Sequence, residues 1–250
     1  MRRGPQPRVA EGGKPRFWGK HAVYAALDNP NRIVRKIWGT REALGEIVLP
    51  AGVPVTFAEV TDMAKLVAKD SPHQGIVIEV EPLEDIWIGD LLTEGENDHR
   101  PLLILDQVTD PHNVGAILRT AVAFNALGIV TQDRHAPPET GVLARAASGA
   151  LEMVPWVRVV NLARTLDEIG EAGFWRIGLK GDTDITLDGA ISGMKSALVL
   201  GSEGEGMRQN TESHCDVLAR LPISDRIESL NVSNAAAIAL YAAVTSSAGK

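Results

Sequence analysis

Four short polar side chains occur within six residues near the carboxyl end of the chain, between two apolar runs. They are Ser229, Asn231, Ser233 and Asn234. Hydroxyl and amide groups of this kind cap the amino ends of helices, and they suit a pocket that holds a polar ligand equally well. The stretch alone does not decide between these two uses, so the other polar loops must be weighed with it.

A second polar loop follows an apolar run at 102–105 and contains Asn113, Gly115 and Arg119. Asn113 is expected to cap the helix that follows, and Gly115 leaves the first turn bare, which allows close backbone approach. The apolar neighbours of Arg119 predict a mostly buried helix. Because a buried guanidinium needs an anionic partner, we expect Arg119 to be paired.

A third loop, residues 201–206, is rich in glycine and follows the apolar run 198–200. Its glycines permit positive φ and bring backbone groups within reach of a ligand. No Lys-Ser or Lys-Thr pair follows, and the G-x-x-G-x-G spacing differs from the dinucleotide-binding fingerprint, so neither phosphate motif applies. Glu203 lies inside this loop, where its carboxylate could pair with Arg119.

Apolar runs alternate with helical periodicities from residue 101 onward, which predicts an α/β fold with a parallel sheet. Ligands bind at the carboxyl edge of such a sheet, where all three polar loops are expected. The predicted strands are 102–106, 128–131, 157–160, 175–179, 196–201 and 217–221. The predicted helices are 113–125, 141–147, 162–172 and 232–245.

The chain before residue 101 divides by composition into three segments. Residues 1–15 are rich in Pro, Gly and Arg and are predicted to be a disordered basic tail. Residues 16–82 form a small α/β unit, with predicted strands at 33–38, 55–57 and 76–80 and helices near 22–27 and 61–68. The acidic residues 83–100 read as a linker before a second domain, 101–250.

Composition and charge exclude several classes of protein. The single cysteine, Cys215, rules out an internal disulfide framework and argues against a cysteine zinc site, and the six histidines form no metal-ligand cluster. No apolar run reaches the roughly 20 residues of a membrane span, so a cytoplasmic protein is expected. Residues 1–82 hold 12 Lys and Arg against 9 Asp and Glu, whereas residues 83–250 hold 13 against 23. The amino-terminal part is therefore the part that could meet a polyanion such as RNA.

Three motifs in a fixed order carry a family resemblance. They are N-x-G-x-x-x-R-T-A at 113–121, G-S-E-G-x-G at 201–206 and P-x-x-x-x-x-x-S-L-N-V-S at 222–233. With them the chain resembles the SpoU/TrmH branch of the SPOUT RNA methyltransferases. The segments W-G-K-H-A-V at 18–23 and H-Q-G-I at 73–76 are similar to the substrate-binding domain of the ribosomal-RNA members. The resemblance covers about residues 16–248.

The resemblance implies a SPOUT domain whose carboxyl-terminal segment is threaded into a trefoil knot, preceded by a small L30e-like α/β domain that binds RNA. It also implies a homodimer that holds S-adenosyl-L-methionine in the knot, without a metal or a membrane. The implied reaction is methyl transfer to a ribose 2′-hydroxyl, on a guanosine of 23S ribosomal RNA. A transfer-RNA 2′-O-methyltransferase and a non-catalytic ribosome-assembly factor remain alternatives.

The resemblance also assigns roles to residues. Arg119 would lie at the attacking oxygen, where a permanently protonated guanidinium suits electrostatic and orienting work better than proton removal. Asn113 and Glu203 would hold Arg119, and Ser229 and Asn231 would shape the site around the nucleophile.

A further set of residues would grip the cofactor, mostly through the backbone. This set comprises Gly201, Leu221, Ile223, Ser229 and Leu230. Two positions depart from the family pattern, since relatives commonly have Gly in place of Asp225 and often Met in place of Ile223. Asp225 therefore places a carboxylate in a loop that should adjoin the cofactor.

Overall fold

The computed structural model describes residues 13–191, 193 and 195–248 of the chain. All but the last three residues of the predicted tail, 1–15, lie outside the described residues. None of the helices in the described part is long and apolar enough to cross a membrane.

A four-stranded mixed sheet forms the amino-terminal unit. Its strands, in the spatial order β1-β4-β2-β3, are β1 (Arg16–Trp18), β4 (Ile76–Val80), β2 (Val34–Gly39) and β3 (Val55–Phe57). Strand β4 is antiparallel to both of its neighbours, and β2 is parallel to β3. The helices of this unit are α1 (Lys20–Asp28), α2 (Arg41–Gly45) and α3 (Val60–Met63).

The helix predicted at 61–68 is shorter in the structure, where α3 ends at Met63. The N–H groups of Lys65 and Leu66 bond to carbonyls three residues earlier, so the chain tightens into turns beyond this point. The turns bring Leu66 and Val67 against the cluster that contains Trp38. Tertiary packing therefore overrides the helical periodicity of this segment.

Six parallel strands form the sheet of the second unit, which confirms the predicted parallel α/β architecture. In spatial order they are β10 (Val217–Ala219), β8 (Phe174–Leu179), β9 (Lys195–Leu200), β5 (Leu102–Leu105), β6 (Gly128–Gln132) and β7 (Trp156–Val159). All five pairs of neighbouring strands are parallel. The helices of the unit are α4 (Ile88–Glu94), α5 (Pro111–Ala123), α6 (Gly141–Ala147), α7 (Leu162–Glu171), α8 (Leu187–Ala190), α9 (Gln209–Glu212) and α10 (Val232–Ala248).

Strand β5 at the centre of the sheet is apolar at every position because both faces of the sheet are covered by helices. Leu103 and Leu105 of β5 face the cluster formed with α5, α6 and α10. Leu102 and Ile104 face the opposite cluster, formed with α4 and α7. The period-two alternation of strand side chains thus assigns each leucine of β5 to one of two cores.

The segment predicted as a linker, 83–100, contains helix α4. Ile88 and Leu91 of this helix are buried in the α7-side core of the six-stranded sheet. This part of the acidic segment therefore packs as part of the second unit, while the division of the chain into domains stays a prediction.

A buried ion-pair cluster joins the two units. The Arg32 side chain is 0% exposed, and its Nη1 and Nη2 atoms lie 2.7 Å from Glu139 and 2.8 Å from Glu152 of the second unit. Arg32 Nη1 also donates to the carbonyl of Glu81. The charge pattern suggested that basic residues of this unit, Arg32 among them, could contact a polyanion. The Arg32 charge is instead neutralised inside the protein by Glu139 and Glu152.

Candidate functional site

Side chains from all three polar loops meet at the carboxyl edge of the six-stranded sheet. The Nδ2 atom of Asn231 donates to Asn113 Oδ1 at 3.0 Å and to Glu203 Oε2 at 3.3 Å. Asn113 follows β5, Glu203 follows β9, and Asn231 precedes α10. Residues up to 118 positions apart are therefore joined by one amide group.

The side-chain amide of Asn231 also caps the amino end of helix α10. Its Oδ1 atom accepts from the Ser233 N–H at 2.9 Å and from the Ser233 hydroxyl at 2.6 Å. Both ends of the amide are thus satisfied, with the oxygen toward the helix and the nitrogen toward the other loops. Capping and site assembly, which were alternatives for this stretch, are functions of the same side chain.

Asn113 was predicted to cap helix α5, but the structure shows that Asp110 is the cap. The Asp110 carboxylate accepts from the His112 N–H at 3.1 Å, and Pro111 occupies the first helical position. Proline is favoured there because its missing N–H would have no helical acceptor. Asn113 consequently lies within the first turn, where its side chain is free to bond Asn231.

The prediction that Arg119 is mostly buried is wrong for the single chain, and its possible pair with Glu203 does not form there. Arg119 is exposed, and it has no ion pair or hydrogen bond within the part of the chain that the structure describes. It follows Asn113 by six residues, and about 100° of rotation per residue places the two on different faces of α5. Within a single chain, Arg119 therefore lies apart from the cluster of Asn113, Glu203 and Asn231.

Gly115 permits close approach, as predicted, but the approaching element is helix α6. A Cβ atom on Gly115 would lie 2.8 Å from the carbonyl oxygen of Leu143 and 2.9 Å from the backbone nitrogen of Ala147. The absent side chain therefore sets the α5–α6 packing distance beside the site.

The glycine-rich loop is a tight turn closed on itself. Ser202 and Gly206 exchange two backbone hydrogen bonds of 3.1 and 3.0 Å, and Gly204 and Gly206 have positive φ. A Cβ atom on Gly201 would overlap the backbone of Gly206 and Met207. Glycine at 201 is thus required by close approach, and Glu203 stands at the exposed tip of the turn.

A buried carboxylate that the sequence analysis did not single out anchors this turn. Asp106, at 0% exposure, accepts from the Arg208 backbone N–H at 2.9 Å and from Arg208 Nε at 2.8 Å. The pair fixes the end of the glycine-rich turn to the end of β5. An aspartate directly after a continuous apolar strand was the available signal, since a buried carboxylate needs such partners.

A cleft of about 770 Å³ opens beside the turn and is lined by its backbone and by the loop that precedes α10. All of the residues predicted to grip a cofactor line this cleft, namely Gly201, Leu221, Ile223, Ser229 and Leu230. Its volume falls within the range of small-molecule sites. The glycine-rich turn and the loop that precedes α10 therefore share one cavity, with Glu203 at its edge.

The cleft has an acidic lining. Lys180 and Arg220 are its basic residues, and Lys180 is paired with Glu212 at 2.9 Å. Its acidic residues are Asp182, Glu203, Glu205, Glu212, Asp225 and Glu228. This balance favours a ligand that carries positive charge and disfavours the phosphates of a nucleic acid. No group of three or more His, Cys, Asp or Glu that could hold a metal ion occurs in the described ranges.

Comparison with known protein families matches two parts of the chain. Residues 100–241 match the model of the SpoU rRNA Methylase family, and residues 17–86 match that of RNA 2′-O ribose methyltransferase substrate binding. The first match includes all three polar loops, and the second covers most of the amino-terminal unit.

Individual relatives extend over most of the chain. It is 38% identical over 240 residues to the 23S rRNA (guanosine-2′-O-)-methyltransferase RlmB of Pseudomonas putida, covering 92% of this chain and 95% of that protein. It is 39% identical over 234 residues to an uncharacterized tRNA/rRNA methyltransferase of Synechocystis sp., covering 90% of this chain but 61% of that longer protein.

A solved structure shares the fold. The SpoU methyltransferase AviRb from Streptomyces viridochromogenes, in complex with the cofactor AdoMet, superimposes with a TM-score of 0.78 at 23% identity. The superposition covers 94% of this chain and 90% of AviRb. Given the family match over 142 residues and the identity to full-length relatives, the chain belongs to the SpoU rRNA methylase family.

Proposed function

We propose that the chain transfers the methyl group of S-adenosyl-L-methionine to a ribose 2′-hydroxyl of RNA, on a guanosine of 23S ribosomal RNA. The observation that carries this proposal is the meeting of Asn113, Glu203 and Asn231 beside a cleft that is formed by the glycine-rich turn and the loop before α10. The RlmB of Pseudomonas putida, which aligns over 95% of its own length, supports the choice of ribosomal RNA and guanosine.

The cleft fits the proposed cofactor. The backbone passes Gly201 with no room for a side chain, so its polar groups can approach a ligand directly. Leu221 and Leu230 would contact the cofactor from the facing loop. When bound, S-adenosyl-L-methionine supplies an electrophilic methyl group on a positively charged sulfur, and the acidic lining complements that charge.

The residues of the cluster would orient the ribose and receive its proton. Glu203 Oε2 accepts a hydrogen bond from Asn231, which leaves Oε1 free to accept one from the 2′-hydroxyl. In this scheme the hydroxyl oxygen forms a bond to the methyl carbon, the carbon–sulfur bond breaks, and the hydroxyl proton passes to Glu203 or to water. Asn113 and Asn231 hold the carboxylate in position, and positioning supplies much of the rate. Ser229 would line the ribose side of the cleft.

Arg119 would enter the site from a second copy of the chain. Within one chain it is exposed on α5, and the adjoining helix α10 exposes Ile238 at 45% and Tyr241 at 59%. Exposed apolar side chains of this size, three residues apart on one helix, are typical of a covered interface. We therefore propose a homodimer in which Arg119 of one protomer stabilises the developing charge on the oxygen in the site of the other.

Two finer features of the fold belong to the same proposal. The segment from residue 220 to residue 248 would be threaded into a trefoil knot, which would explain why its loop lies against the glycine-rich turn in one cleft. The amino-terminal unit would be an L30e-like domain that binds RNA.

The proposal is tested by methyl transfer from tritiated S-adenosyl-L-methionine to 23S ribosomal RNA from cells that lack the protein. We expect label in one guanosine, identified by mapping the 2′-O-methyl group, and none in RNA from wild-type cells. Arg119→Ala should abolish transfer, and Arg119→Lys should restore only part of it, because lysine lacks the planar fork. Label confined to transfer RNA, or no label in either RNA, would overturn the assignment.

A further inference from the structure

A recess of about 150 Å³ lies where the amino-terminal unit meets helix α6. The first unit contributes Trp18, Gly19, His21 and Gln74, and α6 and its end contribute Arg145 and Ser148. None of the residues that line the recess is an Asp or a Glu. Its polar groups are mainly hydrogen-bond donors, in contrast to the acidic cleft beside the glycine-rich turn.

Arg145 brings an uncompensated positive charge to this recess. Its Nη1 atom donates to the Pro72 carbonyl at 2.7 Å, and the side chain forms no ion pair within the described residues. The guanidinium is half-buried and always protonated, and it has four further N–H donors. A partly buried cation without a carboxylate is stabilised by an anionic ligand.

The amino end of helix α1 presents further hydrogen-bond donors near the recess. Gly19, at the N-cap position, provides no side-chain cap, and the N–H of Lys20 is taken by Gln74 Oε1 at 2.9 Å. The first-turn N–H groups of His21 and Ala22 have no acceptor among the described residues. These groups carry the positive end of the helix dipole, which favours an anion.

The packing around the recess leaves a further donor unused. Trp18 is 5% exposed, and its indole Nε1 is buried without a hydrogen-bond partner in the described part of the chain. This N–H has almost no accessible surface, so the ring closes one side of the recess without donating into it. The Gln74 amide nitrogen and the Ser148 hydroxyl supply donors for which no acceptor occurs among the described residues.

The recess has a fixed shape because the two units are locked together. Arg32 is buried against Glu139 and Glu152 at the same junction, and Asn29 adds a 2.7 Å hydrogen bond to Glu152. Phe17, in strand β1 of the amino-terminal unit, belongs to the same hydrophobic core as residues of helices α5 and α6. The donors on the two sides are therefore held in place before any ligand arrives.

The recess also lies close to the proposed catalytic cluster along the protein. Ala146, the neighbour of Arg145, packs against Gly115, and Gly115 follows Asn113 by two residues in α5. We infer that this recess binds a backbone phosphate of the RNA substrate, a short distance along the strand from the ribose that is methylated. The inference rests on the proposed function, because it takes RNA as the ligand.

The inference is tested by measuring the affinity of a 23S ribosomal RNA fragment for Arg145→Gln across a series of KCl concentrations. The variant removes one charge, so RNA binding should weaken about tenfold at low salt. The slope of log affinity against log salt should fall in magnitude by about 1. The dissociation constant for S-adenosyl-L-methionine should not change.

Arg164→Gln is the matched control, since Arg164 is an exposed arginine on α7, on the opposite face of the six-stranded sheet. It should leave both the affinity and the salt slope as in the wild type. His21→Glu is a second variant at an exposed position, so it should weaken RNA binding without lowering the melting temperature.

Two outcomes would overturn the inference: a wild-type salt slope in both recess variants, or an equal change in Arg164→Gln. RNA binding is measured apart from methylation, so these outcomes differ from a failure of the proposed function. If the proposed function failed, the wild-type chain would bind the fragment but would methylate nothing.

Discussion

Asn231 combines two tasks that are usually divided between residues. Its oxygen caps α10 through Ser233, and its nitrogen bonds Asn113 and Glu203. Because one amide serves both purposes, the start of the helix and the geometry of the site are set together. Any change at this position therefore needs separate readouts for stability and for chemistry.

Asn231→Asp separates the two tasks. The carboxylate keeps the acceptor that caps the helix, so the melting temperature should change little, within about 1 kcal/mol of stability. It loses the donor to Glu203 and adds a like charge beside it, so kcat for methyl transfer should fall at least about 100-fold. Asn234→Asp places the same charge on an exposed position of α10 and serves as the control. Near-wild-type kcat in Asn231→Asp would remove the amide from the mechanism.

Cys215 should be chemically inert in the folded protein. Burial raises the pKa of its thiol to about 12 from an ordinary value of 9.0. Since the unfolded chain loses this proton more readily above pH 9, the Cys215 contribution to stability should fall as pH rises from 9 toward 12. The stability difference between Cys215→Ala and wild type should therefore shift over that range.

The thiol reaction gives an independent reading of the same property. Native protein at pH 8 should react with a disulfide reagent far more slowly than protein in denaturant, because thiolate is the reactive form. Equal rates in the two conditions would contradict a half-buried, protonated Cys215.

At the scale of elements, the site depends on how closely three loops approach one another. The glycine-rich turn folds onto its own start, and the Asp106–Arg208 pair ties it to the end of β5. Helix α5 is drawn against α6 at Gly115. Absent side chains therefore do as much to build this region as the polar groups that it presents.

Gly201→Ala tests the close approach. The added Cβ would overlap the backbone of Gly206 and Met207, so the turn must open and the cleft must change shape. Affinity for S-adenosyl-L-methionine should fall by at least about tenfold, in line with the cost of overpacking. Gly181→Ala is the control, because Gly181 lines the same cleft with open space around it. Titration calorimetry measures both variants, and equal affinities would show that the turn tolerates a side chain.

At the scale of the whole molecule, charges that looked free in the sequence are largely used within the fold. Lys14 and Arg35 share Glu81, Lys20 pairs with Glu46, and Arg32 is buried between two glutamates. Removal of residues 1–82 would leave Glu139 and Glu152 without their cation, a costly change. Point variants are therefore the better test of how the amino-terminal unit binds RNA.

Mixing two inactive variants tests the proposed dimer. Arg119→Ala and Asn231→Asp should each be inactive alone. If Arg119 acts across the interface, a mixed dimer contains one site with both residues intact, so co-refolded protein should regain a fraction of wild-type activity. If Arg119 acts within its own chain, every site lacks one residue, and the mixture should stay inactive. Sedimentation of each variant as a dimer is the required control.

The order and type of most elements could be read from the sequence because their causes are local. Continuous apolar runs predicted the buried parallel strands, and the prediction of a helix at 141–147 matches α6 (Gly141–Ala147). The polar loops were expected at the carboxyl edge of the sheet, and Asn113, Glu203 and Asn231 do meet there. Parallel strands place their carboxyl ends at one edge whatever the details of packing, so this convergence follows from topology.

Other features were decided only by the tertiary structure. Periodicity could not show that Arg119 faces solvent, that Asp110 caps α5, or that Arg32 is buried between glutamates of the other unit. Each depends on which distant surface lies opposite a side chain, and that is set by packing among segments far apart in sequence. The sequence determined the chemical groups and the edge at which they gather, whereas the tertiary structure decided which of them touch.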